Sequence, residues 1–268
     1  MLFRSEIHHV PGHPRRAQWW DAIEKIIYRV YLTRVARAAV AVRVVNRSEV
    51  PTLLRRWGIP TSRILVLPSA YIDRSVFHPG STSKEYALGF VGRLVANKNL
   101  RYVARVFESV AARWPSARFV VVGEGPERGS FQVELARVGV LNKVTFMGWL
   151  ETTQQLAEIY RGLNALVCPS LSEGGPRVCL EAMSCGTAVF ATPVGVMPET
   201  IEHGENGWLL PWDQDAGASL VLEVLGNSDV LSAIGVAAAA STVHFEKSVV
   251  LDAYAAAYRQ LALKSVDD

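Results

Sequence analysis

The densest stretch of chemically useful residues is Pro169-Ser170-Leu171-Ser172-Glu173-Gly174-Gly175-Pro176-Arg177-Val178-Cys179-Leu180-Glu181-Ala182-Met183. It follows a short apolar run, passes through two glycines and enters a helical pattern. Pro176 stands in the first turn, where proline is best tolerated. Glycines just ahead of a helix let the main chain approach a ligand closely. The N–H groups of a helix start, with the dipole behind them, favour an anion such as a diphosphate. Glu173 falls in the loop, and Glu181 lies about 7.5 Å beyond Pro176 along the helix, at a rise of about 1.5 Å per residue. Carboxylates at two depths can accept hydrogen bonds from two separate sets of hydroxyls, as on a sugar and a ribose. The same residues also fit a glycine-rich turn followed by a surface-helix glutamate.

A second cluster is Phe90-Val91-Gly92-Arg93-Leu94-Val95-Ala96-Asn97-Lys98-Asn99. Arg93 can fork onto phosphate oxygens and Lys98 can act as a point charge. Alternatively, both are solvated loop cations. Val122-Gly123-Glu124-Gly125-Pro126 offers a Gly-x-Gly turn after a strand, but Arg128 occupies the place of the third glycine of a dinucleotide fingerprint and Gly129 comes one residue late. That excludes a nicotinamide-type reading. No Walker lysine, zinc spacing or Gly-x-Ser-x-Gly elbow is present. His8, His9 and His13 gather near the start without the spacing of a metal site. Trp19-Trp20 on a basic helix fits core packing or an interfacial belt.

These residues need a scaffold, and the pattern from Tyr86 onward supplies one. Candidate strands are Ala87–Val91, Arg118–Val122, Lys143–Phe146, Ala165–Cys168, Ala188–Ala191 and Gly207–Leu210. Helical patterns lie between them at Leu100–Trp114, Gly129–Val138, Thr153–Arg161, Pro176–Ser184 and Pro198–Glu202. Continuous apolar strands such as Phe119-Val120-Val121-Val122 are expected when helices cover both faces. The alternation predicts an α/β, doubly wound parallel sheet, with ligands at the carboxyl ends of its strands. The first 80 residues differ. Ala17–Val45 reads as one or two long helices, Val50–Trp57 as another, and Arg63–Pro68 as a single strand. This suggests the remnant of another domain, with a boundary near Pro79–Lys84. After Gly226 the pattern is helical, ending in Lys247–Leu263 with an apolar stripe at Val250, Leu251, Tyr254, Ala257, Tyr258 and Leu261.

The 268 residues, half of them apolar and 20% charged, can bury a core and exclude global disorder. Residues 1–75 hold 13 Lys/Arg against 5 Asp/Glu, and the remainder holds 15 against 20. Basic character in the first quarter favours anionic partners such as phosphate groups or a lipid surface, or it marks a solvated helix face. No apolar run approaches the roughly 20 residues needed to span a bilayer. The three cysteines read as reduced thiols of a cytoplasmic protein.

Taken together, the motifs resemble the retaining glycosyltransferases of family 4, which have the GT-B fold of two facing Rossmann-like domains. The likeness rests on the glutamate pair Glu173 and Glu181 with seven residues between, and on the Gly92-Arg93-Leu94…Lys98 stretch. Val122-Gly123-Glu124-Gly125-Pro126, Phe146-Met147-Gly148, Pro198-Glu199-Thr200-Ile201 and Gly204-Glu205-Asn206-Gly207 follow in family order. The resemblance implies a partial N-terminal acceptor-side domain over residues 1–79. A nucleotide-sugar donor domain would cover 80–244, and a C-terminal helix over 245–268 would pack back toward the N-terminal part. By the same likeness Arg93 and Lys98 hold the donor diphosphate and stabilise the leaving group. Glu173 takes hydroxyls of the donor sugar, Gly174, Gly175 and Pro176 lie near its phosphate, and Glu181 takes the ribose. Gly92, Gly123, Gly148 and Trp149 line the nucleotide, and His8 faces the sugar. No metal or other cofactor is implied.

The implied reaction moves a sugar to a hydroxyl acceptor with retention, the acceptor being a glycan, a lipid-linked or a small molecule. Peripheral contact with an anionic membrane is compatible with the basic N-terminal stretch, and nucleic acid is not an expected partner. Family members normally carry further early strands and a glycine-rich loop ahead of this start, so an N-terminal truncation is expected. A donor-binding fragment that needs a partner is the alternative. The family's usual Gly-Gly after the fifth strand is Gly195-Val196 here, which puts a bulky side chain where backbone often approaches the donor.

Overall fold

A computed structural model describes residues 30–264, apart from 32 and 48. Its chain divides into two compact units, one of residues up to Ser69 with those from Ser248 onward, and the other Ala70–Lys247. His8, the other early histidines and Trp19-Trp20 lie outside the described residues.

In the first unit, residues 33–38 are helical and β1 (Val42–Val44) pairs in parallel with β2 (Ile64–Val66), with α1 (Glu49–Arg56) between them. This corrects two expectations, that helix runs on to Val45 and that this region holds a single strand. Val42 and Val44 are β-branched residues two apart, and Val44 packs into a small core with Ala36, Leu54 and Ile59. Tertiary pairing over three residues outweighs the helical pattern before it. The last helix, α9 (Lys247–Lys264), belongs mostly to this unit. Its Tyr254 hydroxyl donates to the Pro68 carbonyl at 2.8 Å. Of the expected stripe, Val250 is buried and Tyr254, Ala257 and Leu261 are half-buried, whereas Leu251 and Tyr258 are exposed.

The second unit is built on a six-stranded, wholly parallel sheet of β3 (Tyr86–Val91), β4 (Phe119–Val122), β5 (Val144–Gly148), β6 (Leu163–Cys168), β7 (Ala188–Ala191) and β8 (Trp208–Leu209). Its order is β5-β4-β3-β6-β7-β8. Every residue of β4 and β7 is buried, as an interior parallel strand requires. The connecting helices are α2 (Leu100–Arg113), α3 (Arg128–Arg137), α4 (Thr153–Gly162), α5 (Arg177–Ser184), the short α6 (Met197–Thr200), α7 (Gln214–Leu225) and α8 (Ser228–Ser241). One group packs α2 against α3 and α7, another packs α5 against α4 and α8. The stacked rings of Phe107 and Phe119, 4.3 Å between centroids, and of Phe190 and Trp208, 4.8 Å, sit in one continuous core.

Helix α7 was not among the expected elements. Gly217 in its middle reads as a break, yet a Cβ there would stand 1.6 Å from the Tyr102 hydroxyl. That hydroxyl donates to the Pro211 carbonyl at 2.9 Å. The glycine therefore serves packing. Asp213 caps the helix, accepting from the Asp215 and Ala216 N–H groups. Among the described residues, no single helix is long and apolar enough to cross a membrane.

Candidate functional site

The sheet order dictates where a site can form. After β3 the chain winds outward through β4 and β5, and it then returns to the other side of β3 with β6. The segments leaving β3 and β6 thus depart in opposite directions and open a crevice at their carboxyl ends. The first segment is Gly92–Asn99 and the second is Pro169–Pro176, the two stretches singled out from sequence.

The structure ties these segments together. The Leu171 N–H donates to the Asn97 carbonyl at 2.8 Å, and the Asn97 side-chain amide donates to the Ser172 carbonyl at 3.2 Å. The Lys98 ammonium forms an ion pair with the Glu173 carboxylate, both side chains being largely buried. Burial works to lower the Lys98 pKa, but negative charge at Cys168 and Glu173, with the hydrogen bond to Glu173, outweighs it and holds the value above normal. Hydrogen bonding from the buried Cys179 thiol, with the nearby Lys98 charge, outweighs burial and brings the Cys168 pKa down to about 7. Cys168, Cys179 and Cys185 are free. Arg93 is exposed in the same loop as Lys98.

Glycines shape the rim. Gly92 and Gly123 directly follow β3 and β4, and Gly148 ends β5, with φ of +150°, +124° and +62°. A Cβ on Gly123 would stand 2.1 Å from the Gly92 carbonyl oxygen, and the Gly123 N–H donates to the Gly148 carbonyl at 2.7 Å. These close approaches align the three strand ends as one ledge. Trp149, at its outer end, is 78% exposed. Behind the Glu173 loop, a Cβ on Gly195 would lie 2.4 Å from the Gly174 carbonyl oxygen. The neighbouring Val196 is only 6% exposed, so its bulk is turned into the protein and Gly195 is the residue that meets the loop.

Helix α5 begins at Arg177, with buried Pro176 at its cap one residue earlier than the sequence pattern placed it, and Gly174 and Gly175 lead in. The first N–H groups of such a turn have no acceptor within the helix and face the loop end. Glu181 is no surface residue. Its side chain is 7% exposed, the Tyr160 hydroxyl donates to Oε2 at 3.0 Å and Arg177 Nε approaches Oε1 at 2.8 Å. Burial pushes its pKa up against the opposing effects of Arg177 and Tyr160.

Lys98 and Glu173 are thus in contact, with Arg93, Gly174, Gly175 and Pro176 on the two segments that meet, Glu181 further along α5, and Gly92, Gly123, Gly148 and Trp149 along the ledge. Sequence reasoning missed Tyr160, Asn97 and the Arg177 partnership. The Arg177–Glu181 spacing of four was a legible signal. Among the described residues, no three His, Cys, Asp or Glu converge as a metal site.

Residues 85–227 match the family model described as glycosyl transferases group 1. A D-inositol 3-phosphate glycosyltransferase of Mycolicibacterium smegmatis is 30% identical over 255 residues, covering 89% of this chain and 57% of the relative. The chain spans about half the length of the curated relatives it matches. A sucrose-phosphate synthase from Thermosynechococcus elongatus superimposes with a TM-score of 0.77 at 23% identity, over 88% of this chain and 62% of that one. Anabaena Alr3699/HepE, solved in complex with UDP and glucose, gives 0.72 at 19%, over 87% and 66%. At these identities the structural likeness concerns the fold, an α/β architecture of parallel sheets shared with GT-B glycosyltransferases.

Proposed function

The chain belongs to the group 1 glycosyl transferases, and on that footing we propose that Ala70–Lys247 binds a nucleotide-diphosphate sugar and delivers its sugar to a hydroxyl acceptor. The observation that carries this reading is the ion pair of Lys98 with Glu173 where the β3 and β6 segments meet. A diphosphate seeks cations and helix-start N–H groups, and a sugar seeks a carboxylate that accepts from its hydroxyls. Both kinds of partner stand side by side here.

In this mechanism Lys98 and Arg93 neutralise the charge that grows on the diphosphate as the glycosidic bond breaks, an electrostatic role that involves no metal. Glu173 exchanges Lys98 for hydroxyls of the transferred sugar. The backbone of Gly174-Gly175 and the start of α5 face the phosphate end, and Glu181 accepts from the ribose. The base rests along the ledge toward Gly148 and Trp149. Transfer with retention to that hydroxyl acceptor and membership of family 4 complete the proposal. That acceptor would be a glycan, a lipid-linked or a small molecule.

Calorimetry with UDP, GDP and ADP tests it. One of them is expected to bind, and Arg93→Ala or Lys98→Ala is expected to weaken it by about tenfold or more, the scale of one charge-assisted contact. Failure of all three nucleotides and of their sugar conjugates to bind would remove the reading.

A further inference from the structure

Tyr160 is wholly buried on α4, and its hydroxyl has one partner, Oε2 of Glu181 on α5. The residue is fixed from several sides. The Thr187 hydroxyl donates to its main-chain carbonyl at 2.6 Å, the Phe77 ring lies 6.1 Å away at 56°, and the Ser184 hydroxyl holds the Phe77 carbonyl at 2.7 Å. The other oxygen of Glu181 is held differently. Its partner Arg177 is half-exposed, on the first turn of α5, and also lies 5.6 Å over the Tyr71 ring. One carboxylate oxygen is therefore committed to the interior, and the other to a half-exposed side chain at the surface.

We propose that Tyr160 is a positioning residue of the nucleotide site, its buried hydroxyl orienting the Glu181 carboxylate so that Oε1 is presented to the ribose hydroxyls when Arg177 yields. The inference rests on the donor-site reading above. A buried carboxylate free to rotate satisfies itself with whichever donor is nearest. One oxygen pinned by a rigid phenol leaves a single direction for the second. Burial also favours the protonated acid, and the Tyr160 hydrogen bond opposes this. Its loss would cost both orientation and charge.

The test is calorimetry on the full chain with whichever of UDP, GDP and ADP binds most tightly, paired with its 2′,3′-dideoxy counterpart. The unaltered protein is expected to prefer the ribonucleotide by about tenfold. Tyr160→Phe, which keeps the ring and its packing, is expected to remove most of that preference while leaving dideoxynucleotide affinity within about twofold. Glu181→Gln is expected to abolish the preference, and Tyr160→Phe added to it to change nothing more. Equal weakening of both nucleotides by Tyr160→Phe would mark a purely structural tyrosine and overturn the inference, as would an unchanged preference. Either result, with Arg93→Ala and Lys98→Ala behaving as expected, leaves the donor site standing. If no nucleotide binds the unaltered protein, the donor-site reading falls and takes this inference with it.

Discussion

Lys98 keeps its charge in surroundings that oppose it. Burial favours the neutral amine, and the adjacent negative groups reverse that preference, so its folded pKa lies above the unfolded one. For a base shifted in this direction, the stabilising contribution is complete below the ordinary lysine pKa of about 10.4 and is lost as pH rises through the folded value. The stability difference between the unaltered protein and Lys98→Ala should therefore stay level from about pH 7 to about pH 10 and shrink above that, as read by guanidinium melts. Lys98 and Glu173 were legible in the sequence because each stands at a fixed offset after an apolar strand. Tyr160 was not legible. It follows Ala157 on the inward face of α4 and looks like any core aromatic, and only the fold brings its hydroxyl to a carboxylate 21 residues away.

At the scale of elements, the ledge depends on backbone contacts too close for any side chain. Gly123→Ala would drive a methyl into the Gly92 carbonyl, and about 3 kcal/mol of lost stability is expected, measured by denaturant unfolding. Nucleotide affinity should fall with it, since the ends of β3 and β4 must part. Removing the α7 cap with Asp213→Ala should cost about 1 kcal/mol and leave nucleotide affinity unchanged. The long apolar strands and their helices were readable because a strand such as Phe119–Val122, buried on both faces, has no polar alternation to confuse it. Two elements escaped. Strand β1 has only three residues and follows a helix without a strong stop, and Gly217 makes α7 look interrupted although the glycine answers to Tyr102. Both are cases of a distant neighbour deciding what local pattern left open.

At the scale of the molecule, Arg93, Lys98, Glu173, Tyr160 and Glu181 all fall within Ala70–Lys247. A chain cut to that span is expected to bind the same nucleoside diphosphate within about threefold of the full chain, by calorimetry, since it keeps all five of these side chains. Loss of binding on excision would place an essential group in the other unit. Sequence placed the change of composition at Pro79–Lys84, after the Ser69–Ala70 division, because the Ala70–Pro79 loop contributes Ile72 and Phe77 to packing without any regular pattern. That loop also returns to where the span ends. The Ile72 N–H donates to the Phe245 carbonyl at 2.7 Å, and the Lys247 N–H donates to the Ile72 carbonyl at 3.0 Å. Entry and exit are thus laced side by side, and the span forms a nearly closed ring of polypeptide. A short peptide could join its two ends and fresh termini could be opened at a distant surface turn, yielding a circular permutant that folds around the same crevice.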